Sequence, residues 1–169
     1  MKFNNKLLIL KNKHCISIDD FHFKCSIGKF GLTSNKREGD KKTPKGIYGL
    51  GDLFYRSDRV LKPKTKLNCL KINSKMGWCD DPNDKENYNK LININRSKKR
   101  EKLYRKDSKY NYLIPILYNT SKRTPYKGSA IFIHLTKNYN PTAGCIGLIK
   151  KDFLILARLL KKNTKIKIN

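Results

Sequence analysis

The chain contains one cysteine and one histidine whose spacing and surroundings suit nucleophilic chemistry. Cys145 follows Gly144 in the run Pro141–Leu148, and His134 lies eleven positions before it. A thiol reacts as its thiolate, which a neighbouring imidazole can generate, so the pair predicts a cysteine acyl-transfer site. Gly144 lets the backbone turn tightly, and the N–H groups around Ala143 and Gly144 are predicted to stabilise an oxyanion. The alternative is a buried structural cysteine and a hydrogen-bonded core histidine.

His134 ends the apolar run Ala130–Ile133, which predicts a buried strand that delivers one polar side chain at its end. The other two histidines, His14 and His22, lie far away in sequence. A catalytic base also needs a third group to orient it, and the carbonyl of Leu135 or a near neighbour is the candidate. With an imidazole partner of this kind, we expect the Cys145 thiol to be mostly ionised near neutral pH.

Four segments of the chain occur in the order found in one enzyme family. They are Lys36–Tyr48 with its Thr-Pro-x-Gly turn, Trp78–Pro82 followed by Tyr88-Asn89, Gly128–His134, and Pro141–Cys145. Together they resemble the L,D-transpeptidase (YkuD-type) catalytic domain, with the best match over residues 28–168. The run Trp-x-Asp-Asp-Pro…Tyr-Asn is similar to one branch of that family.

The resemblance implies a peptidoglycan substrate and no metal or organic cofactor. Cys145 is expected to attack a tetrapeptide stem, release the terminal D-alanine and pass the acyl group to an amine of a second stem, giving a 3→3 cross-link. Water as the acceptor would make the protein an L,D-carboxypeptidase. Thr142 and Ala143 stand where many members have Ser-His, and Gly147 stands where they have Asn or Arg. These differences from the family pattern affect the expected geometry of the oxyanion site and the expected acyl acceptor, an amine or water.

Four further residues are candidates for substrate contact. Trp78 is interpreted either as an apolar wall of the stem-binding groove or as a core residue. Asp80 and Asp81 are candidates to receive the ammonium group of the diamino acid, or else to close a turn before Pro82. Thr142, beside the nucleophile, is the fourth. Tyr88 and Asn89 are too generic for a role to be assigned from sequence.

The chain of 169 residues has a formal net charge of +26, and 31 of its 39 basic residues are lysine. Arginine is the residue preferred for bidentate phosphate and base recognition, so its scarcity argues against a specific nucleic-acid reader. The charge predicts salt-sensitive docking to an anionic cell-wall polymer, although codon bias explains much of the lysine excess. The run Arg96–Lys109 predicts a solvated excursion or short helix. It also supports an alternative function, a non-catalytic basic domain that binds cell-wall polymer or nucleic acid.

Five cysteines make an odd number, and buried single thiols are favoured over two bridges for the four besides Cys145. His14-Cys15 and His22…Cys25 suggest a zinc site. The odd offset between His22 and Cys25 sends their side chains to opposite faces of a strand, so no metal site is predicted.

The chain has no apolar run near the roughly 20 residues that a transmembrane helix requires. The basic start at Met1–Lys11 contains only a short apolar core, so no signal peptide is recognisable. The resemblance nevertheless implies the cell envelope, the periplasm, as the site of action.

The pattern of the remaining residues predicts a single domain over residues 1–169, mainly β and β-sandwich-like, with a packed C-terminal helix. Predicted strands are Lys6–Leu10, Cys15–Ile18, Phe21–Ile27, Ile47–Phe54, Leu67–Ile72, Tyr112–Tyr118 and Lys165–Ile168. Gly49 and Gly51 indicate a bulge or a close backbone approach, and Pro115 predicts an edge strand. Apolar residues between Asp152 and Leu160 form one helical stripe.

Overall fold

The computed structural model describes residues 6–94 and 100–169. Within these residues the chain forms fifteen strands and one helix: β1 Leu7–Asn12, β2 Cys15–Ile18, β3 Phe21–Lys24, β4 Leu32–Thr33, β5 Thr43–Pro44, β6 Gly46–Gly49, β7 Leu53–Tyr55, β8 Cys69–Lys71, β9 Met76–Trp78, β10 Leu91–Asn93, β11 Glu101–Lys102, β12 Tyr112–Pro115, β13 Phe132–Leu135, β14 Ile146–Leu148, α1 Lys150–Leu159 and β15 Lys165–Ile168. The predicted mainly-β class with a C-terminal helix is confirmed.

The first five-stranded sheet joins the two ends of the described chain, in the order β3-β2-β1-β15-β6. Strand β1 pairs parallel with β15 and antiparallel with β2. Strands β1 and β2 form a hairpin, and the backbone N–H of His14 donates to Asn12 Oδ1 at 2.8 Å in its turn. This sheet forms one outer layer of the fold.

The second five-stranded sheet carries the candidate catalytic residues, in the order β14-β13-β12-β7-β8. The prediction of an edge strand at Pro115 is wrong, because β12 lies between β13 and β7 in the centre of this sheet. Pro115 is tolerated there since it is the last residue of the strand, where only one donor is lost. Its carbonyl still accepts a hydrogen bond from the N–H of Gly51 at 2.8 Å.

The segment predicted as one strand, Ile47–Phe54, is two strands that belong to different sheets, β6 and β7. The chain crosses between the sheets at Gly51, where an added Cβ would lie 3.3 Å from the side chain of Pro115. The close backbone approach expected at this glycine is therefore confirmed.

Alternation along the strands of the second sheet gives it two different buried faces. One face packs against the first sheet and α1, and this main core includes Leu8, Ile16, Ile166, Ile114, Ile133, Phe153 and Leu156. The opposite face packs against a three-stranded sheet, β10-β9-β11, through a smaller cluster that includes Phe54, Trp78, Leu103, Leu113 and Phe132. Two packed sheets with one helix fit the predicted sandwich-like architecture.

The segment predicted as a solvated charge run contributes to the smaller cluster. Residues 95–99, including Arg96, lie outside the described residues. Downstream, β11 pairs with β9, and Leu103 is completely buried. The prediction is therefore wrong for this part, because one apolar side chain anchors the run to the sheet while its charged neighbours face outward.

Helix α1 begins two residues before the predicted start and buries Phe153, Leu156 and Ala157, as the apolar stripe indicated. Asp152 in its first turn and Arg158 in its last turn have the charges that the helix dipole favours. In the described part of the chain, no helix has the length and apolar character that crossing a membrane requires.

Candidate active site

The thiol of Cys145 is held by the backbone of the neighbouring strand. Cys145 immediately precedes β14, which runs parallel to β13 and so places the cysteine beside Phe132. Its Sγ accepts a hydrogen bond from the N–H of Phe132 at 3.3 Å and donates to the carbonyl of Ala130 at 3.3 Å. The cysteine is 7% exposed. Two contacts therefore set the position of the thiol before any substrate binds.

His134 lies on the same face of β13 as Phe132, because the two residues are two positions apart on one strand. Its Nδ1 lies 2.9 Å from the carbonyl oxygen of Leu135. A carbonyl only accepts hydrogen bonds, so Nδ1 carries the proton and Nε2 is left with a lone pair. The predicted orientation of the imidazole by the Leu135 carbonyl is confirmed, and the resulting tautomer is one that can take up a proton.

Burial keeps both groups of the pair neutral at physiological pH. It lowers the pKa of His134 to about 4, although the bond to the Leu135 carbonyl acts in the opposite direction. It also raises the pKa of Cys145 to about 12, against the effect of the Phe132 N–H. The expectation of a mostly ionised thiol is therefore wrong for the substrate-free protein, since a low-dielectric site disfavours either charge.

Cys145 and His134 line the same cleft, which has a volume of about 700 Å³. Thr142 and Ala143 contribute to one side, and Ala143 is exposed there. The other wall comes from β11 and the segment that follows it: Glu101, Arg105, Lys106, Asp107, Ser108, Lys109 and Tyr110. This wall was not predicted from the sequence. The only sign of it there is the presence of two tyrosines, Tyr104 and Tyr110, in and beside a run of charged residues.

Tyr110 fixes the imidazole from the side of this wall. Its ring packs edge-on against His134, with 5.6 Å between ring centroids, and edge-on against Phe132. The guanidinium of Arg105 lies 5.1 Å from the Tyr110 ring and donates to Glu101 at 2.9 Å. Burial raises the pKa of the Tyr110 phenol well above its usual value. The Tyr110 ring is thus a neutral, anchored support for the imidazole of His134.

The turn before Cys145 is held by Thr43 of the Thr-Pro-x-Gly segment. The buried Thr43 hydroxyl donates to the carbonyl of Gly144 at 2.8 Å and accepts from the N–H of Gly28 at 2.9 Å. Gly144 has φ +138°, and an added Cβ there would lie 2.9 Å from the carbonyl oxygen of Lys42. Only glycine fits this turn, as the sequence indicated.

The predicted oxyanion donors differ in their surroundings. The N–H of Gly144 donates to Thr142 Oγ1 at 3.1 Å, and that hydroxyl donates to the carbonyl of Cys145 at 2.6 Å. Gly144 would have to exchange the Thr142 hydroxyl for a substrate oxygen. Ala143, by contrast, faces the cleft. The assignment of both residues to an oxyanion site stays a prediction.

Trp78, Asp80 and Asp81 lie outside the set of described residues that line the cleft. Trp78 is buried with its ring 5.3 Å from that of Phe132, which fits the interpretation as a core residue. Asp81 accepts from the N–H of Asn83 at 3.0 Å and so closes the turn around Pro82. Asp80 is partly buried, and burial together with the nearby Glu101 raises its pKa.

The cysteines and histidines outside the cleft form neither a disulfide nor a metal site within the described residues. All five cysteines lie in the described residues, and none forms a disulfide. His22 is exposed on β3, whereas Cys25 is buried beyond its end. Within residues 6–94 and 100–169, no three His, Cys, Asp or Glu side chains are grouped as metal ligands.

Residues 4–168 match the L,D-transpeptidase catalytic domain, YkuD, over nearly the whole chain. The chain belongs to this family. The match confirms the resemblance seen in the sequence and extends it to the N-terminal strands. No curated protein matches the chain significantly.

Two solved structures are similar to this L,D-transpeptidase domain. The helical cell shape determining protein Pgp2 from Campylobacter jejuni is 18% identical with a TM-score of 0.50, covering 97% of this chain and 46% of that one. Bd1075 from Bdellovibrio bacteriovorus is 16% identical with a TM-score of 0.49, covering 98% and 48%. The chain thus spans about half the length of these proteins.

The Thr43 brace makes a testable contribution to stability. Thr43→Val keeps the shape of the side chain but leaves the Gly28 N–H and the Gly144 carbonyl without their partner. We expect the free energy of unfolding in urea to fall by about 1–3 kcal/mol, the cost of unsatisfied buried groups. Thr43→Ser retains the hydroxyl and is the control. Equal stability of the valine variant and the native protein would contradict the brace.

The neutral pair predicts an unusual pH dependence for acylation of Cys145. His134 remains unprotonated until the pH falls toward about 4. The rate of adduct formation with a carbapenem, followed by intact mass, should therefore stay nearly constant between about pH 5.5 and 8.5. In His134→Gln the rate should be low and should rise with pH as thiolate forms. A native profile with a midpoint near the ordinary histidine pKa, about 6.5, would be the opposite result.

Proposed function

We propose that this domain is a peptidoglycan L,D-transpeptidase in which Cys145 is the nucleophile and His134 is the base. The observation that carries the proposal is the shared cleft: the thiol and an imidazole in the proton-accepting tautomer line one cavity of an L,D-transpeptidase fold. The substrate is a tetrapeptide stem, and the bond cleaved joins its diamino acid to the terminal D-alanine.

The first half-reaction releases D-alanine. As the stem enters the cleft, the Cys145 proton passes to Nε2 of His134 and Sγ attacks the carbonyl of the diamino acid. Backbone N–H groups around Ala143 and Gly144 stabilise the oxyanion, a contribution of about 3–4 kcal/mol in measured systems. The imidazolium returns its proton to the leaving amine, and a thioester remains on Cys145.

The second half-reaction transfers the acyl group. The side-chain amine of a second stem attacks the thioester carbonyl and His134 takes a proton from that amine. The C–S bond then breaks, and His134 returns the proton to the departing sulfur of Cys145. A 3→3 cross-link is the product. The chain's own residues supply each proton transfer in this sequence.

The charge of the cleft favours an anionic donor stem. Lys106, Lys109 and Lys137 are exposed along it. Arg105 is neutralised by Glu101 and Asp107, with N–O distances of 2.9 and 2.7 Å. The lysines attract stem carboxylates but repel an incoming ammonium group. This observation favours a second candidate, the L,D-carboxypeptidase, in which water accepts the acyl group and a tripeptide stem is released.

Product analysis distinguishes the two acceptors. Purified protein is incubated with a disaccharide-tetrapeptide, and the products are separated and weighed by mass spectrometry. A cross-linked dimer with loss of D-alanine indicates transpeptidation, whereas the tripeptide alone indicates hydrolysis. Cys145→Ala should lose either activity by at least about a thousandfold, and the buried Cys25→Ala is the matched control. Undiminished turnover in Cys145→Ala would exclude the thiol mechanism.

The site of action that we propose is the cell envelope, where peptidoglycan lies. Pgp2 is named as a helical cell shape determining protein, and a role in cell shape is proposed here through the same substrate. The high lysine content would add docking to an anionic cell-wall polymer.

Docking and catalysis should respond differently to salt. Binding to isolated sacculi is expected to weaken steeply as sodium chloride is raised, since exposed lysines act through screened attraction. Turnover of a small soluble stem peptide should change much less. The control is the same pair of assays with Lys162→Glu, at an exposed lysine that is not among the residues lining the cleft. Equal salt dependence of binding and turnover would place the charge effect in the cleft.

A further inference from the structure

Asn89 of the Tyr88-Asn89 pair is buried and uses its whole amide group. It is 3% exposed and lies next to the nucleophile's supporting strand. Its Oδ1 accepts from Trp78 Nε1 at 2.8 Å and from the N–H of Ala130 at 3.1 Å. Its Nδ2 donates to the carbonyls of Tyr118 at 2.9 Å and Asn119 at 2.8 Å. All four hydrogen-bonding positions of the amide are therefore filled.

The bond to Ala130 acts at an unusual point of the backbone. Ala130 has φ +50°, a left-handed conformation that side-chain-bearing residues rarely adopt. This backbone conformation is strained, so the surroundings of the residue must hold it in place. Asn89 supplies that constraint from the N–H side. On the other side, the Ala130 carbonyl accepts the hydrogen bond of the Cys145 thiol at 3.3 Å.

A second contact holds the residue before Ala130. Ser129 Oγ donates to Glu38 Oε2 at 2.8 Å, and Tyr88 Oη donates to the same oxygen at 2.5 Å. Glu38 thus ties Ser129 to the residue that precedes Asn89. Two adjacent residues of one motif, Tyr88 and Asn89, therefore hold the same short backbone segment.

We infer that Asn89 is a positioning residue for the nucleophile: its amide fixes the left-handed turn at Ala130, whose carbonyl directs the Cys145 thiol. The role of the thiol in catalysis rests on the proposed function. The positioning itself is a property of the folded protein and can be measured without a substrate. Trp78 takes part as the second donor to Asn89, from the core.

The chain offers a closely matched control. Asn89 and Asn119 both have left-handed backbones, with φ +56° and +52°. Glycine adopts this conformation without strain. Asn89→Gly and Asn119→Gly therefore each remove one side-chain amide without straining the backbone. The Asn119 amide donates to the carbonyls of Thr124 and Gly128 at 3.0 and 2.9 Å, but it has no bond to Ala130.

Alkylation of individual cysteines reports on the thiol. Each variant is treated with iodoacetamide, and modification of Cys145 and of the buried Cys25 is followed by peptide mass mapping. When the Ala130 carbonyl is no longer held in place, the Cys145 thiol loses the hydrogen bond that favours its neutral form. Cys145 in Asn89→Gly should therefore react about threefold to tenfold faster, the effect of one net hydrogen bond. Cys25 should keep its native rate, and Asn119→Gly should leave both thiols unchanged.

Turnover of the stem peptide should move in the opposite direction. A misplaced nucleophile is expected to lower kcat of Asn89→Gly by about tenfold to a hundredfold, with KM within about twofold of the native value. Faster alkylation with slower turnover is a combination that a merely structural role would not produce. If the native protein shows no turnover, the proposed function fails while the alkylation result still decides the positioning.

A conservative variant covers the case in which Asn89→Gly does not fold. Asn89→Asp keeps the oxygen that accepts from Ala130 and Trp78 and loses the two donors. It should retain the native alkylation rate of Cys145 even if it melts at a lower temperature. Selective acceleration of Cys145 in Asn89→Asp, or equal acceleration of Cys145 and Cys25 in Asn89→Gly, would overturn the inference.

Discussion

The hydrogen bonds between the Cys145 thiol and the backbone of residues 130–132 are the constraint on which the rest of the site depends. The N–H of Phe132 and the carbonyl of Ala130 each lie 3.3 Å from Sγ. Because the backbone rather than the imidazole holds the thiol, the nucleophile is aligned without an ion pair. The position of the Cys145 sulfur therefore depends on how firmly strand β13 holds the Phe132 N–H and the preceding turn holds the Ala130 carbonyl. Thr43 holds the carbonyl of Gly144, the residue before the cysteine, and Asn89 holds the N–H of Ala130.

Burial explains why the resting site contains a neutral pair. A thiolate and an imidazolium in a low-dielectric cleft would each need solvation that the surrounding side chains do not supply. The Cys145 sulfur accepts one hydrogen bond and donates another, which suits a neutral thiol. A thiolate could keep only the accepted bond, because it has no proton to donate. In the proposed mechanism, proton transfer to His134 is therefore coupled to the arrival of the substrate carbonyl next to its oxyanion donors. A neutral, buried thiol reacts slowly with adventitious electrophiles.

The sequence predicted the pair and much of the sheet, but not the opposite wall of the cleft. A short apolar run ending in histidine and a glycine before cysteine each have a local cause, so Cys145, His134 and Gly144 were found. Tyr110 and Arg105 were missed, because a run of lysine and arginine has no period that shows which side chain turns inward. Pro115 was misassigned since its missing donor falls at a strand end, a fact that depends on partners distant in sequence.

Residues that are far apart in the chain account for the rest. The hydroxyl of Thr43 reaches the Gly144 carbonyl across 101 positions, and Asn89 reaches Ala130 across 41. Neither contact involves a reacting atom, and neither residue type suggests catalysis by itself. Each one instead satisfies a backbone group whose conformation the nucleophile requires. The long spacing of the family segments follows from this: Cys145 and His134 occupy one short stretch, while Thr43 comes from the two-stranded sheet β4-β5 and Asn89 from the loop before β10. Thr43 and Asn89 are each constrained by the backbone carbonyl or N–H to which they hydrogen-bond. This constraint explains why hydroxyl and amide side chains occur in the family segments.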